Sequence, residues 1–466
     1  MNPSRFHLNN IHFIGIGGSG MSGIAEVLLN LGYKVSGSDK NRSNITDRLA
    51  KLGADINYEH DASNLEGVEM VVISSAIDKT NPEVLEAKNK FLPILARAEM
   101  LSSLMNTKRG IAVAGTHGKT TTTSIISSIM TEAGLDPTFI NGGIINSFDS
   151  NAQLGKGKYL IAEADESDKS FLLLQPSMAV VTNIEPDHLI NYENSFENQK
   201  EAFLGFIKKL PFNGMAVVCG DDPVIRSLIP KFSRPFITYG FDSSNDFILK
   251  DYNSEGFSSE FTLNFQSEEI KINFNMLGKH NALNAAAATV ICMQEGVLVS
   301  DIQSSLKTFK GINRRMQVLG EVKIGESLCT FIDDYGHHPT EIFSTIKSIK
   351  ESFPKKKLCM VFQPHRYTRT KDLFKEFIEV LAKVDNLILL DVYSAGEEPI
   401  QGINSVEIKN KLLGNGFNSI SLCNEPNGII EILGNFLDKD SIVIMQGAGD
   451  ISEISSEIMN QCAIET

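Results

Sequence analysis

The sequence contains no run of about 18 uninterrupted apolar residues, so no segment reads as a membrane-spanning helix. Its opening stretch, MNPSRFHLNN, lacks the apolar centre of a secretory signal. Six cysteines are present (Cys219, Cys292, Cys329, Cys359, Cys423 and Cys462), and none pair as C-x-x-C. Most sit in apolar segments, which reads as buried, reduced thiols of a cytoplasmic protein. There is no excess of positive charge: the net charge is −14. That excludes a broad nucleic-acid surface and leaves room for a local basic pocket holding a small polyphosphate. Solenoid-period repeats and low-complexity tracts are missing. So are a G-x-S-x-G elbow and a Cys–His signature, which fits a chemistry that requires no protein nucleophile.

What is present points to an α/β protein. At 466 residues the chain is too long for one ordinary core, and about three domains are expected. From 11 to about 106, strand-like runs (IHFIGIG, YKVSGSD, DINYE, MVVISSA, LPILA) alternate with helix-like ones such as ITDRLAKLG and NPEVLEAKNK. NTKRG at 106–110 reads as a linker. A second unit then runs through YLIAEAD, SMAVVTNI, MAVVCG and PFITYG, with an alternating insert over 246–276 and an Ala-rich helix, HNALNAAAATVICMQEG. A third begins near 313, with strands such as LCTFIDDY, KLCMVFQP and SIVIMQG between helices PTEIFSTIKSIKESF and TKDLFKEFIEVLAK. The expectation is three consecutive domains, 1–107, 108–312 and 313–466, the outer two Rossmann-like and the central one P-loop ATPase-like.

Two glycine turns carry the functional argument. FIGIGGSGMSG places Gly15, Gly17 and Gly20 in G-x-G-x-x-G after a strand and before a helix, with Asp39 closing the next strand. Such a turn holds a diphosphate on a helix N-terminus. AGTHGKTTTT places Gly115, Gly118, Lys119 and Thr120 between another strand and helix. It is a shortened Walker loop, with Val113 where the strict spacing wants glycine. Backbone N–H groups and Lys119 suit nucleotide phosphates, and the hydroxyl suits Mg²⁺. Acidic groups close two further strands: Glu163, Asp165, Glu166 and Asp168 in EADESD, then Glu185, Asp187 and His188 in EPDH. Either cluster alone reads as a solvated loop. Three such strand ends in one parallel sheet converge on one crevice and favour Mg-ATP.

The stretches HFIGIGGSGMSGIAE, AGTHGKTTTT, EADESDKSF, TNIEPDH, GKHNALNAAAA, DDYGHHPTE, QPHRYTRT and DVYSAGEEPIQG resemble, in order and spacing, the Mur ligases of bacterial peptidoglycan synthesis. The resemblance covers nearly the whole chain. It implies a UDP-sugar domain, an ATPase domain and a closing domain that takes the amino acid. It also implies ATP-driven joining of L-alanine to the lactyl carboxylate of UDP-N-acetylmuramate. By resemblance, Gly115, Thr116, His117, Gly118, Lys119, Thr120 and Thr121 hold ATP phosphates, and Thr120, Glu163 and His188 ligate Mg²⁺. His280, Asn281, Asn284, Arg314, Arg315 and Asp334 contact the nucleotide. Gly17, Gly18, Ser19, Asp39, His60, Ser74, Ser75, Ala76 and Arg97 face the UDP-sugar. Tyr335, His337, His338, His365, Arg366 and Arg369 match substrate-facing loops. His337 is a candidate base, or only positions the amine. Without the family, DDYGHHP reads equally well as a turn before a helix starting at Pro339, and HRYTR as a helix N-cap. The sequence departs from the family at Ile190, where an acidic residue is common.

The expected partners are therefore small molecules, with no nucleic acid and no membrane, in a monomer or homodimer. Rival readings are an oxidoreductase, which leaves the lysine loop unused, a non-catalytic UDP-sugar binder, and a relative that attaches a recycled tripeptide.

Overall fold

A computed structural model describes residues 8–438 and 440–462. Its first sheet comprises β1 (Asn10–Ile14), β2 (Lys34–Ser38), β3 (Asp55–Asn57), β4 (Met70–Ile73) and β5 (Ile94–Ala96), in the order β3-β2-β1-β4-β5. All pairs are parallel. The order reverses beside β1, which puts a ligand crevice at the carboxyl ends of β1 and β4.

The second sheet is built on β6 (Arg109–Ala114), β7 (Thr138–Ile145), β8 (Ser150–Gln153), β9 (Tyr159–Glu163), β10 (Met178–Val181), β11 (Met215–Cys219) and β12 (Phe236–Gly240). The insert supplies β13 (Phe247–Glu255), β14 (Ser258–Phe265) and β15 (Glu268–Phe274). The full order is β15-β14-β13-β12-β11-β10-β6-β9-β7-β8. Its own switch point lies beside β6, from which the lysine loop emerges. The helix after that loop, Lys119–Glu132, is rich in threonine and serine yet almost wholly buried. Its hydroxyls avoid stranding by bonding back one turn: Ser124 Oγ donates to Thr120 O (2.7 Å) and Ser127 Oγ to Thr123 O (2.8 Å).

The third sheet comprises β16 (Gln317–Ile324), β17 (Ser327–Asp334), β18 (Leu358–Phe362), β19 (Asn386–Leu389), β20 (Ile420–Leu422) and β21 (Ser441–Gln446). Its order is β16-β17-β21-β18-β19-β20, with only β16 antiparallel. Apolar side chains close both faces, as a parallel sheet under helices requires.

Packing divides the chain into two compact units: 1–251 with 261–273 and 283–309, and 252–260 with 274–282 and 310–466. The first two sheets' strands β1–β12 share the first unit and the third sheet lies in the second. Several local expectations change. Arg109 and Gly110 of the expected linker are the start of β6, and β7, β8 and β16 were not anticipated. The run TKDLFKEFIEVLAK is broken at Leu373 between helices Tyr367–Asp372 and Phe374–Leu381. Four of the six cysteines are buried and all six are free thiols. Among the described residues no helix is long and apolar enough to cross a membrane.

Candidate active site

In the first unit, β1 runs into the turn Gly15–Gly18 and the helix Ser19–Asn30. Gly18 caps that helix with no side-chain bond; Met21 N and Ser22 N both turn back to Gly18 O (2.9 Å each), so what the helix end offers an anion is its first two N–H groups. Asp39 braces the turn: Oδ2 accepts from Gly17 N (2.8 Å) and Oδ1 from Asn41 N (3.2 Å). A Cβ at position 17 would lie 2.8 Å from that same Oδ2, which is why glycine stands there. Ser74 follows β4 across the crevice, while Ser75 and Ala76 are exposed. Ser19 opens the helix; its side chain lies outside the described set.

The lysine loop, 115–118, is gripped by the end of β10. Asn183 Oδ1 accepts from His117 N (2.8 Å), Thr182 Oγ1 donates to His117 O (2.6 Å), and Thr116 Oγ1 accepts from Glu185 N (2.9 Å). Gly118 sits at φ +84°, and a Cβ there would come within 2.5 Å of Asn284 Oδ1. Asn284 thus backs the loop. Thr120 and Thr121 are buried in the helix start.

Lys119 folds back over its own loop. Nζ donates to Gly115 O (2.7 Å) and Thr116 O (3.1 Å) and pairs with Glu166 Oε2 at 2.7 Å. Burial works against its charge, but the carboxylates of Glu166, Asp165 and Glu163 outweigh it and hold the ammonium above its ordinary range. Burial pushes Glu166 the other way, up to about 7, with Asp165 adding to the rise and Lys119 opposing it. The lysine remains the charged partner, because three carboxylates surround it.

Glu163, at the end of β9, accepts from Gly142 N through Oε1 (2.5 Å). Arg97 opens the helix after β5 and reaches Ser170 Oγ (3.2 Å) and Asp165 Oδ2 (3.5 Å). These residues share one cavity of about 300 Å³, lined by Gly18, Gly20, Ser74, Arg97, Lys119, Glu163 and Asp165 among others. The two glycine turns therefore open onto the same space. His188 is outside this lining; it sits at φ +53° with Nε2 3.4 Å from Asp187 Oδ2. Ile190 beside it is 78% exposed. The hydroxyl of Thr120 and the carboxylate of Glu163 are hard oxygen donors and fit Mg²⁺; an imidazole is the softer member of that set.

The second unit gathers a different group. Asp334 is saturated: Oδ1 accepts from Met316 N (2.9 Å), and Oδ2 from Gln446 Nε2 (2.8 Å), Thr345 Oγ1 (3.2 Å) and Gly336 N (3.3 Å). It ties the loop after β17 to its neighbours. Arg314 and Arg315 both lie over the Tyr335 ring, 5.0 and 5.1 Å from its centre. Arg314 Nη2 also donates to Gly447 O (2.6 Å). His338 caps the helix Pro339–Ser352, and Arg366 caps Tyr367–Asp372, so both local cap readings hold. His280 and Asn281 start the helix Lys279–Gln294, where Asn281 Nδ2 donates back to Leu277 O (2.9 Å).

His337 and His365 stand with ring centres 5.7 Å apart, and Arg369 Nη1 is 3.3 Å from His365 Nδ1. Burial, with Arg369 and His365 nearby, lowers His337 to about 4 against the pull of Glu341. Burial and Arg369 lower His365 to about 4 as well. Both rings are neutral hydrogen-bonding groups at pH 7. His337 Nδ1 lies 3.3 Å from Tyr335 O, which fixes the proton there and leaves Nε2 as an acceptor. In the unfolded chain these rings take protons near pH 6.5, and in the folded chain only near 4. Their neutrality thus costs nothing above about 6.5 and destabilises the fold progressively as pH falls to 4, by at most about 3 kcal/mol for His337. A His337→Gln/His365→Gln variant should lose less Tm than the wild type between pH 7 and 4. Parallel Tm curves would refute this.

Several functional neighbours escaped the sequence. Glu166 as the partner of Lys119 and Gly142 as the donor to Glu163 are long-range facts with no local signature. So is Asp333, raised by burial to about 6 with Arg314 Nε 3.7 Å away.

Three family models match the chain in succession. They are described as Mur ligase family, catalytic domain (residues 10–109), Mur ligase middle domain (113–292), and Mur ligase, glutamate ligase domain (314–449). Among solved structures, the chain is similar to a UDP-N-acetylmuramate-alanine ligase from Thermotoga maritima. The identity is 27% and the TM-score 0.82, covering 97% of this chain and 98% of that one. A murein peptide ligase from Psychrobacter arcticus shares the fold at 24% identity and TM-score 0.71, over 97% and 98% of the two chains. A MurF ligase from Thermotoga maritima, solved in complex with ADP, shares it at 18% identity and TM-score 0.62, over 92% and 94%.

Proposed function

The chain belongs to the Mur ligase family, and from that premise we propose that it joins L-alanine to the lactyl carboxylate of UDP-N-acetylmuramate while ATP is cleaved to ADP and phosphate. The observation that carries this reading is the shared cavity. A turn shaped for one diphosphate and a loop shaped for a nucleoside triphosphate open onto one space, with Lys119 and Arg97 in its wall. The UDP-sugar is assigned to residues 1–107, ATP to 108–312 and the amino acid to 313–466.

The chemistry follows from the reactants. A carboxylate does not acylate an amine until it carries a leaving group. Its oxygen attacks the γ-phosphorus, the bond to the β,γ-bridging oxygen breaks, and ADP leaves an acyl phosphate behind. The amine nitrogen, its ammonium proton given up to solvent, then adds to the acyl carbon, and the tetrahedral intermediate expels phosphate as its second N–H proton passes to the leaving phosphate or to solvent. Both steps ask the protein chiefly to position groups and neutralise charge. Lys119 and the N–H groups of 118–120 hold phosphate oxygens, those of Thr116 and His117 being taken by Asn183, and Arg97 orients the sugar diphosphate. His337 presents Nε2 as an acceptor to the amine. At a pKa of about 4 it positions and desolvates the amine better than it removes the proton. Mg²⁺, held by Thr120 and Glu163 with His188, would supply further charge neutralisation at the phosphates.

Phosphate release with ATP and UDP-N-acetylmuramate, measured against L-alanine, glycine, L-serine and the peptidoglycan tripeptide, tests the proposal. L-alanine should give the highest kcat/KM. Release driven mainly by the tripeptide would assign the chain to the recycling branch instead. One methyl group is worth about 1–3 kcal/mol, so glycine should trail L-alanine by roughly 10–200-fold.

A further inference from the structure

The carboxyl half of β7 is irregular in a way that no step above uses. Its pairing with β9 stops at Ile140–Ala162. Against β8 it pairs at Ile140–Ala152 and again at Ile145–Ser150, so residues 141–144 stand opposite Asn151 alone. Such a bulge frees backbone and side-chain groups to serve a neighbouring site.

Asn141 opens the bulge and is 2% exposed. Its Nδ2 donates to Ser124 Oγ (2.8 Å) and to Gly143 O (2.9 Å). A carbonyl only accepts, so Gly143 fixes which end of the amide carries the protons. Asn141 Oδ1 is buried with no hydrogen-bond partner among the described residues. A buried amide with one idle end costs the fold stability, so packing alone does not account for it. Ser124, fully buried in the helix after the lysine loop, has its one hydroxyl proton on Thr120 O (2.7 Å) and therefore accepts from Asn141. The next residue, Gly142, donates its N–H to Glu163 Oε1, and a Cβ at 142 would lie 2.9 Å from that same oxygen. Asn141, Gly142, Lys119 and Glu163 all line the cavity onto which both glycine turns open. One bulge thus grips the helix start that bears Thr120 and the strand end that bears Glu163.

We propose that Asn141 is a positioning residue for the divalent cation of the ATP site: by tying the helix of Thr120 to the strand that aims Glu163, it sets the span between the two oxygens that would hold the ion. This rests on the Mg-ATP reading above. Mg²⁺ demands near-ideal octahedral geometry, so an error in that span weakens the ion rather than the nucleotide.

Mn²⁺ can stand in for Mg²⁺, because its electron-spin resonance reads the bound ion directly. Titrated into the full chain with ADP, it should bind Asn141→Ala roughly 10–100-fold more weakly than wild type. ADP without metal, and UDP, should bind both proteins alike. Tm should change little, because the truncation also removes the idle carbonyl. Ser124→Ala should weaken Mn²⁺ as well, and combining it with Asn141→Ala should lose nothing further, since one tie cannot be cut twice. Gly142→Ala, which presses on Glu163 Oε1, should weaken the ion with Asn141 intact. Ser127→Ala serves as the control. It removes the same kind of bond from the same helix, Ser127 Oγ to Thr123 O (2.8 Å), at an equally buried position without a tie to Asn141, and should leave Mn²⁺ affinity unchanged. Wild-type Mn²⁺ affinity in Asn141→Ala, or an equal loss in Ser127→Ala, would overturn the proposal. A wild type that binds no Mn²⁺ with ADP would instead sink the Mg-ATP reading, and the positioning role with it. If Asn141→Ala fails to fold, Ser124→Ala set against Ser127→Ala decides the matter in the same way.

Discussion

Lys119→Ala should reduce ATP-dependent phosphate release by roughly 10³-fold or more. The cavity wall holds two cations, Lys119 and Arg97, against Glu163 and Asp165. Removing the lysine leaves those carboxylates to repel the very phosphates that must approach. Binding of UDP to the first turn should change less than about twofold, since that turn relies on backbone N–H groups and a helix end. The fold should survive: Glu166, losing its partner, takes up a proton where burial already favours the neutral acid. Lys119→Arg should not rescue, because a planar fork cannot reproduce a compact point charge folded under its own loop. Turnover within tenfold of wild type in Lys119→Ala would contradict the assignment, provided the melting curve shows an intact protein.

Gly17→Ala should produce the mirror-image result. The added methyl would sit 2.8 Å from Asp39 Oδ2 and 3.2 Å from Thr46 Cγ2. Asp39 cannot simply retreat, because Oδ2 is the acceptor for Gly17 N. Either that bond breaks or the turn shifts. Overpacking of this kind costs about 1–3 kcal/mol, and the lost geometry falls on the backbone proposed to face the diphosphate. UDP affinity measured by calorimetry should drop tenfold or more, with ATP affinity unchanged. An unaltered UDP titration would show that position 17 does not shape the site. The pair of variants thus separates the two turns, one losing turnover and the other losing its nucleotide sugar.

What could be read ahead of the structure was whatever is local in the chain. A strand, a glycine turn and a helix start within about fifteen residues, so β1, β6 and their loops stood out. The strand ends carrying Glu163 and His188 did too. The hairpin β7–β8 did not, because Asn141, Gly142 and Gly143 interrupt its apolar pattern. β16 was hidden by its place at a sheet edge, where Glu321 and Lys323 face outward and a bulge at Gly320 breaks the alternation. Pairings were invisible for a different reason. Lys119 and Glu166 are 47 residues apart, and His12 and Glu83 are 71 apart. NPEVLEAKNK reads as an ordinary amphipathic helix, and nothing in it says that its first glutamate is buried. The glycine turn was legible as a shape for a diphosphate; which diphosphate depends on the loop across the cavity.

The Lys119–Glu166 pair gives the lysine loop a counter-ion of its own. On the proposed reading, a phosphate arriving there does not fill an empty positive site; it displaces a carboxyl group that the lysine already holds. Association would then be an exchange, its free energy the difference between two pairings of Lys119 rather than the whole of one. The displaced Glu166, buried and relieved of its cation, would be favoured as the neutral acid. If nucleotide binds at this loop as proposed, calorimetry near pH 7 should show net proton uptake, read as an apparent enthalpy that varies with the ionisation enthalpy of the buffer.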